Sequence, residues 1–252
     1  MGVNVERIAA ACVVTLDRPE RRNALDTESI NLIGEALAAA EADGAVRAVI
    51  LTGAGDQAFC AGMDLKEFAG GERPARRGPG LEVFTTRCYP KPVIAAVNGS
   101  AVGGGFELML ASDMAVAAET ATFSVPEVKR GLVGAGCSTR LAARVPAPVA
   151  FEMAVLGEPI SASRALALGL VNEVVGAGRT LERALQLAEI IAASAPLAVG
   201  VTKQLIWDEI GAHTPEEWTT IRARAVPVFA SEDAKEGARA FSEKRRPVWT
   251  GR

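Results

Sequence analysis

Three consecutive glycines, followed two residues later by a glutamate, are the first residues to suggest a reaction. The stretch is NGSAVGGGFEL, Asn98 to Leu108, and Glu107 sits inside FELML, which otherwise reads as core. Phe106, Met109 and Leu110 have helical spacing, so Gly103-Gly104-Gly105 falls where a helix begins. The first amides of a helix have no intrahelical acceptor, and the macrodipole favours negative charge there. Without side chains such amides can approach a ligand oxygen closely, although a tight crossing of helix and strand would also require glycine. A second bare segment, Phe59-Cys60-Ala61-Gly62-Met63-Asp64-Leu65, follows a strand and opens into a short helix. Two amides from two segments can form a two-donor hole for charge developing on a carbonyl oxygen, where losing one donor typically costs roughly 10²–10³ in rate.

Alternating strands and helices must position these segments. Ile8 to Leu16 reads as a buried strand ending at Asp17-Arg18-Pro19, and Arg47 to Thr52 as a second. Val93 to Val97 and Met114 to Ala118 are the third and fourth. A helix from about Asp26 to Ala42 places Leu32, Ile33, Ala36, Leu37 and Ala40 on one face. The expected fold class is therefore α/β, with helices covering sheet faces. After about residue 178 the pattern is helical: Leu181, Ala184, Leu185, Ala188 and Ile191 share one face. Thr214-Pro215-Glu216-Glu217 carries an N-cap signature, and a last helix spans about Ser231 to Arg245. The Gly-, Pro- and Arg-rich stretch Ala69 to Gly80 reads as a surface loop.

Composition narrows the chemistry further. A net charge of -3 supplies no basic field for nucleic acid or an anionic membrane. No run is long and apolar enough to span a bilayer, and no signal-peptide pattern precedes the first strand, so the expected compartment is the cytoplasm. Cys12, Cys60, Cys88 and Cys137 show no C-x-x-C spacing and read as small buried side chains. His213 is the single histidine, which excludes a two-histidine metal site, and its polar surroundings read as surface. Gly53-Ala54-Gly55-Asp56-Gln57-Ala58 fits G-x-G-x-x-A, but no helix opens on it and no acidic residue closes a second strand about 20 residues on. A loop with two turn glycines explains it better than a dinucleotide site.

Five stretches together resemble the crotonase (enoyl-CoA hydratase/isomerase) superfamily: DRPERRNALD at 17–26, AFCAGMDLKEF at 58–68, KPVIAAVNGSAVGGGFEL at 91–108, FSVPEVKRGL at 123–132 and SEDAKEGARAFSEKR at 231–245. The resemblance covers essentially the whole chain. It implies a β-β-α spiral core over about 1–195 and a C-terminal helical region over 196–252 that packs in a homotrimer, often a dimer of trimers. It implies a CoA thioester substrate, with no separate cofactor, metal or nucleic-acid partner. The oxyanion-hole amides of the family match Met63 and Gly104, and the two glutamates of its hydratases match Glu107 and Glu127. Ala24, Ala61, Asp64 and Leu65 match the strip that lines the CoA site, with Arg18 and Arg22 more loosely. Lys244 matches a lysine that contacts the nucleotide end of CoA, often from a neighbouring subunit.

The implied activity is hydration of a trans-2-enoyl-CoA to a 3-hydroxyacyl-CoA. Glu127 would exchange the proton at C2 and Glu107 would hold and activate water; the reverse assignment, or a shared role, also fits the sequence. A double-bond isomerase using one carboxylate is the nearest alternative, and a non-catalytic acyl-CoA binder the alternative from another class. The chain departs from the pattern at two places. Many hydratases have proline where Gly134 stands and glycine where Cys137 stands.

Overall fold

The computed structural model describes residues 2–70, 80–85, 89–210 and 215–250. Cys88, His213, Thr214 with its expected N-cap, and most of the Ala69 to Gly80 loop lie outside the described residues.

The chain opens with a hairpin, β1 (Val3–Ile8) and β2 (Ala11–Leu16), whose register pairs Ile8 with Ala11. The expected single strand from Ile8 to Leu16 is thus divided by a two-residue turn at Ala9-Ala10. Ala9 takes a φ of 52°, as such turns demand, but an alanine pair carries none of the Asn-Gly chemistry that announces one. Three strand pairs follow: β3 (Ala48–Gly53) with β4 (Ala58–Cys60), β5 (Val93–Val97) with β6 (Ser100–Val102), and β7 (Met114–Ala118) with β8 (Thr122–Ser124). Two short strands, β9 (Ile160–Ser161) and β10 (Glu173–Val175), complete the set. The first strand of each pair joins a six-stranded sheet of order β1-β2-β3-β5-β7-β10, and the second joins a four-stranded sheet of order β4-β6-β8-β9. Each pair turns from one sheet into the other, and the next helix carries the chain back. That repeated turn is the β-β-α spiral.

The helices of the first half are α1 (Thr27–Ala42), α2 (Leu65–Gly70), α3 (Glu82–Thr85), α4 (Gly104–Ala111) and α5 (Ala135–Ala142). Next come α6 (Ala147–Phe151), which runs into a wider turn at Glu152–Leu156, then α7 (Ala162–Ala167) and α8 (Thr180–Ala192). The C-terminal segment is helical as expected: α9 (Pro196–Glu209), α10 (Pro215–Phe229) and α11 (Glu232–Ser242). Asp26 caps α1, accepting from the Ser29 N–H at 2.8 Å, and Ser231 caps α11 through the Ala234 N–H at 3.0 Å.

The central strands are buried on both faces. Val49 and Leu51 point into the main core with Ile33, Leu37, Leu108 and Phe106, while Ala48 and Ile50 point the other way, against Ala184 and Ala188 of α8. Such strands read as continuous apolar runs because helices cover both sides of the parallel sheet. A buried polar cluster ties α9 to the sheet. Asp113 Oδ2 accepts from the Val93 N–H at 2.6 Å and from Lys203 Nζ at 2.8 Å, and Asp113 Oδ1 accepts from Trp207 Nε1 at 2.6 Å. Lys203 also donates to the Lys91 carbonyl at 2.7 Å. Among the described residues no single helix is long and apolar enough to cross a membrane.

Candidate active site

The two glycine-bare segments meet, and glycine is the reason they can. After β4 the chain turns at Gly62 with φ 82°; a Cβ there would lie 2.7 Å from the Val102 carbonyl and 3.1 Å from the Gly104 nitrogen. Met63 forms an isolated parallel bridge with Leu25. Across it the Leu25 N–H donates to the Gly62 carbonyl at 2.7 Å, and the Asp64 N–H donates to the Leu25 carbonyl at 2.9 Å. That pattern leaves the Met63 N–H facing the opposite side. From β6 the chain enters α4 through Gly103, whose φ of 53° and ψ of -122° suit glycine alone. Gly104 supplies the first amide of α4, which has no intrahelical acceptor. A Cβ on Gly104 would stand 3.8 Å from the Met63 nitrogen, so the two amides are neighbours. Gly105 serves packing instead. A Cβ there would overlap the Cys60 carbonyl, so its absence permits α4 to cross β4 closely.

Glu107 lies in the first turn of α4, its N–H donating to the Gly103 carbonyl at 2.9 Å. Its carboxyl is roofed by α5 so closely that a Cβ on Gly136 would overlap it. Glu127 follows Pro126 and opens a tight turn, Glu127–Arg130, beyond β8. Its Oε1 would be 2.8 Å from a Cβ on Gly103, and its Cδ 3.1 Å from one on Gly134. The Gly134 departure has a local reason: a Cβ there would also come 2.8 Å from Val125 Cγ1. Glu127 Oε2 is buried and has no hydrogen-bond partner among the described residues. An orphaned buried carboxyl oxygen is expensive in a purely structural setting.

Burial pushes both carboxyls up from the ordinary carboxylate range. The Arg140 guanidinium pulls Glu107 back down, whereas the charge of Glu107 pushes Glu127 further up, against its own backbone N–H and Arg130. Two carboxyls that repel in one half-buried site favour a state with a single shared proton. Arg140 is the residue that sequence reasoning passes over. It is buried on α5, one turn after Gly136, and donates to the Thr85 carbonyl. Its spacing of four from Gly136 places it on the face covering Glu107, a signal without meaning until that face is known.

The strip matched to the CoA site is laced across two segments. Arg22 (φ 53°) accepts the Ala61 N–H on its carbonyl at 3.0 Å. Arg18 donates to the Ala24 carbonyl at 2.7 Å and to Asp64 Oδ2 at 3.1 Å, and pairs with Asp26 at 3.0 Å. Arg18 therefore ties the strip together internally, while Arg22 is exposed. Leu65 starts α2 directly beyond. Asn23, also passed over in the sequence, is the central tie: it is 1% exposed, and its Nδ2 donates to the Ala58 carbonyl at 2.8 Å. Lys244 sits just past α11, exposed and at φ 54°; no hydrogen bond or ion pair among the described residues joins it to the strip. An apolar cavity of about 600 Å³ lies under α9, lined by Met114, Val199 and Ile206 among others, and none of these candidate residues lines it.

A parallel-sheet spiral that presents two bare backbone amides beside two half-buried glutamates has the architecture of the crotonase fold. The family model for enoyl-CoA hydratase/isomerase matches residues 6–252. The chain belongs to that family. It is 43% identical over 247 residues to a carnitinyl-CoA dehydratase of Salmonella typhi, covering 95% of this chain and 94% of the relative. Among solved structures it resembles a carnitinyl-CoA hydratase from Mycobacterium avium, with 44% identity, a TM-score of 0.92 and coverage of 100% and 99% of the two chains. An enoyl-CoA hydratase from Mycobacterium tuberculosis H37Rv is 45% identical, with a TM-score of 0.78 and the same coverage.

Proposed function

We propose that this protein is a hydro-lyase that adds water across the C2–C3 double bond of a trans-2-enoyl-CoA thioester, giving a 3-hydroxyacyl-CoA. The observation that carries the reading is the juxtaposition of two half-buried carboxyls, Glu107 and Glu127, with the neighbouring backbone amides of Met63 and Gly104. The amides receive the thioester oxygen and withdraw electrons from the conjugated double bond. Glu107, the carboxyl whose rise Arg140 opposes, takes a proton from water as it attacks C3. Negative charge moves to the thioester oxygen, where both amides stabilise the enolate. Glu127, the carboxyl raised by its neighbour, carries the proton that is delivered to C2. The step needs no metal or redox group: every proton and electron pair comes from water, the glutamates and the substrate.

Exposed Arg22 and Lys244, with the strip formed by Ala24, Ala61, Asp64 and Leu65, are the groups we assign to the CoA moiety. Leu197, Val201 and Leu205 are exposed along one face of α9 and support self-association into trimers; sedimentation of an active monomer would overturn that part.

A second reading is favoured by the names of the relatives above: the acyl group carries a trimethylammonium at C4, and the physiological direction is dehydration of carnitinyl-CoA. Purified protein is mixed with crotonyl-CoA, longer trans-2-enoyl-CoA esters, trans-3-enoyl-CoA and carnitinyl-CoA, and the conjugated thioester absorbance is followed. Loss of absorbance from the enoyl esters is expected, falling about 10²–10⁴-fold in Glu107→Gln and Glu127→Gln while ester binding stays within a few-fold. Parent-level turnover by either variant would remove that glutamate from the mechanism. Absorbance gained from trans-3-enoyl-CoA alone would identify an isomerase, and tight binding with no turnover of any ester would identify a binder.

A further inference from the structure

Gly103 touches both glutamates and carries the Gly104 amide. Its N–H donates to the Ser124 carbonyl at 3.0 Å, its Cα faces the Glu127 carboxyl, and its carbonyl accepts the Glu107 N–H at 2.9 Å. The same peptide group continues as the Gly104 N–H. That carbonyl takes a second hydrogen bond, from Cys137 Sγ at 3.0 Å. The thiol is 1% exposed, and burial together with the charges of Glu107 and Glu127 pushes it well above the ordinary thiol range, so it stays a protonated donor. A peptide group is a rigid plane: a donor on its oxygen fixes the direction of the N–H on its other side. Hydrogen bonds in series also polarise one another, which makes that N–H a better donor.

Resting on the oxyanion role proposed for Gly104, we infer that Cys137 is a positioning residue whose thiol orients and polarises the Gly103–Gly104 peptide toward the thioester oxygen. The cysteine that stands where many related hydratases have glycine thus supplies a hydrogen bond that a glycine cannot make.

The test compares the parent with Cys137→Ala, which removes the donor, and Cys137→Ser, which keeps one. The probe is a conjugated cinnamoyl-type CoA ester whose absorbance moves to longer wavelength when its carbonyl is polarised. Cys137→Ala is expected to show a smaller red shift and a kcat roughly three- to tenfold lower, with KM within twofold. Cys137→Ser should restore both readouts. Cys137→Val, which fills the space without a donor, carries the same expectation should the alanine variant not fold. An undiminished red shift in the alanine or valine variant would overturn the inference while leaving the oxyanion reading intact, as would serine and alanine variants that behave alike. Absence of any red shift in the parent would overturn the oxyanion reading itself, and the inference with it.

Discussion

Gly103→Ala tests the geometry most directly, because the structure gives both parts of its cost. The backbone there has φ 53° and ψ -122°, a region that an L side chain occupies only at about 1–3 kcal/mol. The added Cβ would lie 2.8 Å from Glu127 Oε1, where ordinary contact begins at 3.4 Å, so the carboxyl must retreat by about 0.6 Å. A misplacement of about 1 Å can cost on the order of 10² in rate, so a fall in kcat of about tenfold or more is expected. The strain alone should lower the unfolding midpoint by roughly 2–12 °C, at about 2–4 °C per kcal/mol for a chain of this size. Gly169→Ala is the control. Its φ is 73° and nothing lies within 4 Å, so it also carries a positive-φ backbone cost, without a steric one. Enoyl-CoA hydration and thermal unfolding would be measured on both variants and the parent. Equal kcat values for the two variants would refute the claim that Gly103 exists to admit the Glu127 carboxyl.

Three further outcomes are expected. Burial raises the folded-state pKa of Glu127 above its ordinary 4.5, so its contribution to stability is full below about 4.5 and is lost as pH rises through the raised value. Glu127→Gln should therefore match the parent in acid and become more stable than it towards neutral pH, and a pH-independent difference in denaturation midpoints would contradict this. Asp113→Asn leaves the Lys203 ammonium buried without its counter-charge and should cost about 3–5 kcal/mol in urea unfolding, with kcat of the folded enzyme unchanged; a loss below about 1 kcal/mol would mean that the cluster does not hold α9. Gly237 of α11 faces the turn that carries Glu127 so closely that a Cβ would overlap the Arg130 carbonyl, and Arg130 lies 4.4 Å over the Phe241 ring. Gly237→Ala should therefore lower stability by about 1–3 kcal/mol and reduce kcat together, whereas reduced stability at the parent kcat would show that α11 does not position the turn.

Much of this protein is specified locally and can be read along the chain. Val93–Val97 and Met114–Ala118 are legible as strands because both of their faces are buried, and α1 because its apolar residues repeat at helical period. The start of α4 is legible because only bare backbone can make it. The three-residue strands β4, β6 and β8 are too short to establish any period, and the turn at Ala9-Ala10 has no residue that prefers it. Which groups meet is a matter of packing in three dimensions. Glu107 and Glu127 belong to different turns of the spiral, and nothing in either local sequence requires them to share a site. Gly103, Gly134 and Gly136 bring them together by leaving out the atoms that would fill the space. Cys137 and Arg140 gain their roles in the same way, since a thiol and a guanidinium act on whatever their helix is packed against. Propensity and period are properties of neighbours along the chain, while a pKa or a hydrogen bond belongs to neighbours in space, and here those neighbours come from separate strands and helices.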